Sequence, residues 1–342
     1  MHPEHPLLEP IRALHRTIRT GVLAACRRKS VEELSLVAED AAGDTLYSVD
    51  KVSEALLVEG LAQVADRHGG LVLVAEGIRG GRITLPTGRA EESCRYRVIV
   101  DPIDGTRGLM YQKRPAWVLT GVAPNRGDAT RLSDIELSVQ TEIPLVKQHL
   151  GDELWAVRGQ GALAERVNVM TNERWPITLR PSSAPTIEHG YAMVARFFPG
   201  VREELAAIDE EIVRALVGWP VPGKASCFED QYLSSGGQLY ELMAGHDRFV
   251  AELRPLMAPL LRERGIALGL CCHPYDVCTS LIAEELGVVV EDPAGRPLDC
   301  ALDLDSEVAW VGYANQELAR TVGPALRAAL GRRGLVRDMR SP

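Results

Sequence analysis

Apolar residues recur at spacings of three and four through residues 7–28, where Leu8, Ile11, Leu14, Ile18, Val22 and Ala25 predict one buried face of a helix. A polar stretch with Gly43 and Asp44 follows. A second helix is expected from Asp50 through Leu61, stopped at His68-Gly69-Gly70, because glycines commonly end a periodic run. The pattern then changes. Leu71 to Ala75 is wholly apolar and reads as a buried strand ending at Glu76, and Arg97 to Val100 reads as another ending at Asp101. Between them, residues 79–95 are rich in Gly, Arg, Glu and Pro and predict an exposed loop or hairpin. Trp117 to Val122, Ile135 to Gln140 and Leu154 to Val157 predict further strands, and the glycines of 158–162 predict a sharp turn.

A Pro/Ser/Thr-bearing stretch at 176–190 divides the chain into two expected halves, 1–180 and 181–342. The second half reads as a charged helix (201–216), a Gly/Pro-rich connector (218–223) and a helix through Leu233, Leu239, Leu242 and Met243. A helix from Val277 to Leu286, a strand at Val288–Val290, two further strands and a terminal helix (316–330) follow. Helices and strands alternating in this way predict an α/β fold. No internal repeat or low-complexity segment interrupts it.

The chain has 342 residues, 46% of them apolar and 25% charged, which is ample material for a core. No run approaches the length needed to span a bilayer. The first residues, Met-His-Pro-Glu-His-Pro, lack a basic-then-apolar signal pattern, so a cytoplasmic location is expected. A net charge of −9 without a long basic block argues against a long nucleic-acid partner. It leaves room for a small anionic substrate, since bound cations reverse the local sign of a site. Seven scattered cysteines fit a reducing compartment rather than a disulfide framework.

The chemistry concentrates where the apolar strands end. Glu76, Asp101 and Asp104 each follow a buried run, and strand ends are where layered α/β proteins build their sites. Any one of these carboxylates could cap a helix. Three at consecutive strand ends are costly to bury unless a cation neutralises them, and hard divalent ions such as Mg²⁺ choose all-oxygen sites. In Asp101-Pro-Ile-Asp-Gly-Thr106, Pro102 fixes a torsion and Gly105 permits a tight turn. A helix starting at Thr106 would aim backbone N–H groups at an anion beside the metals.

Asp-Pro-Ile-Asp-Gly-Thr resembles the signature of the inositol monophosphatase family, within the lithium-sensitive, Mg²⁺-dependent phosphatase superfamily. Other segments fall in the same order. The stretch from Asp44 to Asp50 resembles the family's Asp-x-Val-Thr-x-x-Asp, and Ala75-Glu76 its first metal-binding Glu. Glu153 to Ala162 resembles its strand and Gly-x-Gly-Ala turn. Ser234-Ser235 with 244–247 and Phe249 to Glu252 resembles its substrate-side helix, His273 to Asp276 its Trp-Asp motif, and 287–292 the strand after it. The resemblance spans roughly residues 10–330.

It implies a layered αβαβα sandwich and hydrolysis of a small phosphate monoester, of inositol or sugar type, by a metal-activated water. Two or three Mg²⁺ ions are implied. Glu76, Asp101 and the Ile103 carbonyl would hold the first, and Asp101, Asp104 and Asp276 the second. Asp50 would orient the Thr106 hydroxyl, and Thr106 with Glu76 would position the water. Gly105 and Thr106 would bind the phosphate, while Asp104, Ser235 and Glu252 would meet the alcohol. A homodimer is implied as well.

Three departures bear on these expectations. Gly77 stands where many members carry a second acid, Arg107 follows Thr106, and Leu253 to Cys272 reads as an insertion with an amphipathic helix. Fructose-1,6-bisphosphate and 3′-phosphoadenosine 5′-phosphate are alternative substrates, and a binding protein without turnover is the alternative outside catalysis.

Overall fold

The computed structural model describes residues 5–34, 37–41, 44–47, 50–78 and 80–336, without the side chains of residues 37–55. Helix α1 (Leu8–Arg28) buries the predicted stripe of Leu8, Ile11, Leu14, Ile18 and Val22. A short α2 (Val31–Leu34) leads to a hairpin of β1 (Val37–Ala41) and β2 (Asp44–Tyr47). Helix α3 (Asp50–Ala65) runs into a 3₁₀ turn at Asp66–His68 and stops at Gly69, whose φ of +88° only glycine adopts easily.

There follow β3 (Leu71–Ala75), β4 (Arg82–Leu85), β5 (Tyr96–Asp104), the short α4 (Thr106–Met110) and β6 (Ala116–Pro124). Then come β7 (Leu137–Ile143), β8 (Leu150–Val157), β9 (Ala162–Asn168) and β10 (Arg174–Ile177). These strands form an eight-stranded sheet in the order β10-β9-β8-β7-β6-β5-β3-β4, antiparallel throughout except for β3 and β5. Both parallel strands are buried along their whole length, which is why they read as unbroken apolar runs.

The second half supplies β11 (Tyr191–Val194), α5 (Arg202–Val217), α6 (Ser235–Met243), β12 (Asp247–Glu252) and α7 (Ala258–Glu263). It continues with α8 (Ser280–Glu285), β13 (Val289–Glu291), β14 (Trp310–Tyr313) and α9 (Gln316–Arg332). Its sheet has the order β11-β12-β14-β13.

The layers follow from which elements touch. Helices α1 and α3 pack together on one face of the large sheet. Helices α6 and α8 lie against the large sheet and also against the small one, and α5 and α9 cover the small sheet's outer face. The result is an αβαβα sandwich, as the resemblance implied. Among the described residues, no helix is long and apolar enough to cross a membrane.

Several elements differ from expectation. The segment Phe249 to Glu252, matched above to a helix, is part of strand β12, paired with β11 and β14. Three apolar residues in a row before Glu252 carry no period, so only their neighbours decide between strand and helix. One strand, not two, follows β13 before the last helix. The helix expected from Val277 divides into a 3₁₀ turn at Pro274–Val277 and α8 from Ser280. Residues 80–95, by contrast, take one of the two expected forms: they contain β4, which closes a hairpin with β3.

Candidate active site

Strand β5 carries the first two acids, and a defect in its pairing brings them together. Asp101 pairs with Leu119 of β6 and Asp104 with Trp117, so three steps on one strand match two on the other. In an unbroken strand, residues three apart face opposite sides. The extra residue of this bulge restores Asp101 and Asp104 to one side. Pro102, with no N–H to lose from the ladder, suits the irregular position. The Ile103 N–H donates to Asp101 Oδ1 at 2.9 Å instead of to a neighbouring strand.

Asp276 arrives on the 3₁₀ turn at Pro274–Val277, which packs against β5 and β6. Its Oδ2 accepts the His273 N–H at 2.6 Å, and His273 Nδ1 donates to the Ser306 carbonyl at 3.0 Å. Asp101, Asp104 and Asp276 each offer an oxygen, and these atoms lie within 4.8 Å of one another.

The carboxylates are out of water and close to like charge. Burial first, then the charges of Asp104, Asp276 and Glu76, raises Asp101 well above the usual carboxylate range. Burial followed by Asp104 does the same to Asp276. Asp104 is raised to about 6 by burial, against hydrogen bonds that favour its charged form. Those come from Ser234 Oγ at 2.7 Å and the Gly236 N–H at 2.6 Å, both to Oδ2. A divalent cation with hard oxygen ligands would relieve the repulsion, and the donor set is of the kind Mg²⁺ takes. Neither nitrogen nor sulfur belongs to the triad.

The other predicted residues fall around this cluster. Glu76 lies outside the triad at the end of β3, one step beyond the Ala75–Val100 pair, close enough to act on Asp101. Gly105 precedes α4 with φ +91°, and a Cβ there would stand 3.1 Å from that of Ser234. Thr106 Oγ1 donates to the Ile103 carbonyl at 2.7 Å, tying the helix start to the bulge. Asp50 begins α3, and its side chain lies outside the described ones.

Ser235 Oγ meets Cys272 Sγ at 3.5 Å. Glu252 is 1% exposed, and both its oxygens are taken by Arg254, through Nε at 2.8 Å and Nη2 at 2.6 Å. The guanidinium carbon of Arg254 lies 4.9 Å from the Phe197 ring centroid and 5.2 Å from that of Phe198.

Two residues of this neighbourhood have no role in the sequence reading. Ser234 stands there only as the neighbour of Ser235, although a serine ahead of Gly-Gly and an apolar run is an N-cap signal. Arg254 stands only two residues after its main partner, Glu252, but inside the segment read as an insertion, which gives it no role.

The order of layers and the two paired sheets form a fold that this chain shares with solved structures of inositol monophosphatases and of a fructose-1,6-bisphosphatase. Neither the protein-family models nor the curated proteins include a match to this chain. Solved structures do match. The extragenic suppressor protein SuhB of Bartonella henselae aligns with a TM-score of 0.63 at 16% identity, over 94% of this chain and 99% of its own. Leishmania major fructose-1,6-bisphosphatase aligns at 0.65 and 14% identity, over 94% of each chain. The Thermotoga maritima inositol monophosphatase TM1415 aligns at 0.61 and 14% identity, over 95% of this chain and 98% of that one.

Proposed function

We propose that this protein is a Mg²⁺-dependent phosphatase that hydrolyses a small phosphate monoester of inositol or sugar type. One observation carries the reading: two buried carboxylates at the end of β5 and a half-buried third, with oxygens within 4.8 Å of one another, in a fold shared with phosphatases. Asp101, Asp104 and Asp276 would hold the metal, with Glu76 and the Ile103 carbonyl completing the set. A bound Mg²⁺ supplies positive charge against the phosphoryl oxygens and acidifies water.

The chain's own groups supply the rest. Gly105 and Thr106 offer backbone donors to the phosphate. The Thr106 hydroxyl, which donates to the Ile103 carbonyl when no substrate is bound, would orient a water, and Glu76 would accept a proton from that water. Asp50 remains assigned to the Thr106 hydroxyl on the resemblance alone. Ser235 faces the alcohol, and Glu252 acts there through the guanidinium of Arg254. A homodimer in the cytoplasm belongs to the same reading, and light scattering tests the dimer.

The test is phosphate release across a panel of esters, with Mg²⁺ and with chelator, on wild type and Asp104→Asn. Mg²⁺-dependent release that disappears in the variant supports the proposal. No release from any ester by folded, metal-loaded protein overturns it.

A further inference from the structure

Gln140 is a polar residue in the interior of a sheet, fully buried at the centre of β7. It pairs with Leu119 of β6, which pairs in turn with Asp101 of β5, so the three side chains stand in a row on one face. An amide in such a place costs free energy unless both its ends are bonded. Both are. Nε2 donates to the Gly236 carbonyl at 2.8 Å, and Oε1 accepts the Thr279 hydroxyl at 2.9 Å. A carbonyl only accepts, so the amide has one orientation here.

The two partners belong to the two segments that complete the triad. Gly236 lies in the first turn of α6, and while its carbonyl accepts from Gln140 its N–H donates to Asp104 Oδ2 at 2.6 Å. Only glycine fits there: a Cβ would lie 2.6 Å from Leu119 Cδ2 and 2.9 Å from Asp104 Oδ2. Thr279 follows the 3₁₀ turn that carries Asp276 and precedes α8. The neighbouring Cys278 carbonyl accepts Ser138 Oγ, also of β7, at 2.9 Å. One side chain of β7 thus joins the segment that holds Asp104 to the segment that bears Asp276. Asp101 and Asp104 need no such link, since the bulge of β5 sets them together. Asp276 comes from a separate segment, and contacts of this kind set its distance from β5.

We propose that Gln140 is a positioning residue for the metal centre: by tying Gly236 to Thr279 it fixes the separation of Asp104 and Asp276, and thereby favours Mg²⁺ over Ca²⁺. This rests on the metal assignment above and deepens it. Mg²⁺ demands near-ideal octahedral geometry, whereas Ca²⁺ accepts larger and more variable arrangements of oxygens. A site whose two parts are free to drift apart loses Mg²⁺ first. Lost packing alone would lower stability without discriminating between the ions.

The experiment measures the affinity of the substrate-free protein for Mg²⁺ and for Ca²⁺ by calorimetric titration. Gln140→Met keeps the length of the side chain and loses both hydrogen bonds, and Thr279→Val loses one of them. Each should weaken Mg²⁺ binding about fivefold, the effect of one hydrogen bond, and Ca²⁺ binding by less, so that the Mg²⁺/Ca²⁺ affinity ratio falls. Thr279→Ser keeps the hydroxyl and should keep the wild-type ratio. The double variant of Gln140→Met with Thr279→Val should be no worse than Gln140→Met alone, because the bond between them is already gone. Thr141→Val loses a buried hydrogen bond with His15 on the opposite face of the same strand, and should lose stability in urea while keeping the ratio. In phosphate release, Gln140→Met should need several-fold more Mg²⁺ for half-maximal rate, with kcat at saturating Mg²⁺ close to that of wild type.

Gln140→Met with lower stability and an unchanged or higher Mg²⁺/Ca²⁺ ratio overturns the positioning role and leaves the phosphatase reading standing. If Gln140→Met does not fold, the comparison of Thr279→Val with Thr279→Ser decides in the same way. The expected fall in ratio, in a protein that releases phosphate from no ester, supports the role while the reaction assignment fails. Wild type that binds neither ion overturns both.

Discussion

Ser234 Oγ donates to Asp104 Oδ2 at 2.7 Å while accepting the Gly237 N–H at 2.8 Å. One hydroxyl thus caps helix α6 and orients a carboxylate of the triad. The two roles are inseparable in the folded chain, and a single substitution removes both. Ser234→Ala should cost about 1 kcal/mol for the lost cap. It should also raise the Mg²⁺ concentration needed for half-maximal phosphate release several-fold, whereas Ser234→Thr retains the hydroxyl and most of both properties. Urea denaturation and a Mg²⁺ titration of activity read the two effects separately. Lost stability with an unchanged Mg²⁺ dependence would remove Ser234 from the site.

Asp101 is a buried acid beside two others, so the metal-free protein bears the cost of their proximity. Because its folded pKa is raised, the folded state holds a proton that the unfolded chain has released, and stability falls as pH rises from about 4 towards neutrality and beyond. Asp101→Asn removes that cost. In chelator at pH 8 the variant should be more stable than wild type by about 1 kcal/mol or more, since a tenfold difference in proton affinity between folded and unfolded states is worth about that much. Added Mg²⁺ should raise the wild-type melting temperature and not the variant's. A variant less stable than wild type in chelator would mean the carboxylates are already neutralised within the protein.

Much of this arrangement is legible because the strands leading to it are fully buried. Leu71 to Ala75 and the start of β5 announce themselves as apolar runs, and the acids that end them stand out by contrast. The Asp-Pro-Ile-Asp spacing is visible, but the bulge that turns both carboxylates to one side is not, since register depends on the partner strand. Strand β12 escapes for a related reason: Val250 and Ala251 are buried by β11 and β14, which lie far from them in sequence. Long-range contacts account for the remaining gap. The Ser234–Asp104 bond joins residues 130 positions apart, and nothing at either position encodes the other.

The Glu252–Arg254 pair is buried on both sides, and its members satisfy each other through several hydrogen bonds. Removing one partner leaves an unpaired charge in a dry environment, which costs about 3–5 kcal/mol. Arg254→Met should therefore destabilise severely, and adding Glu252→Gln to it should recover more than half of the loss. A double-mutant cycle in urea measures the coupling. Additive losses would show that the two charges are solvated independently, contrary to their geometry.

His15 gives the pH dependence on the acid side. It is fully buried on α1, with Nε2 at 2.7 Å from Thr120 Oγ1 and Nδ1 at 3.0 Å from Thr141 Oγ1. A neutral imidazole, one nitrogen donating and the other accepting, satisfies both hydroxyls. Burial is the main cause that pushes its pKa down to about 3, with Arg19 and Arg16 adding to the shift and Glu153 opposing it. As pH falls below the unfolded value of about 6.5, the unfolded chain takes up a proton that the folded protein refuses, so stability is lost between about 6.5 and 3. From pH 7 to pH 5 the loss from this residue is about 2 kcal/mol. Asp209 and Asp247, each raised to about 7 by burial, act in the opposite direction over the same range. The wild-type slope is therefore a sum, and the informative quantity is its difference from His15→Gln. That variant, which keeps a donor and an acceptor, should retain about 2 kcal/mol more of its pH 7 stability at pH 5 than wild type does. Parallel pH profiles for the two proteins would mean that His15 is charged in the folded state, and an imidazole titration by NMR would then find its pKa near the ordinary value of about 6.5.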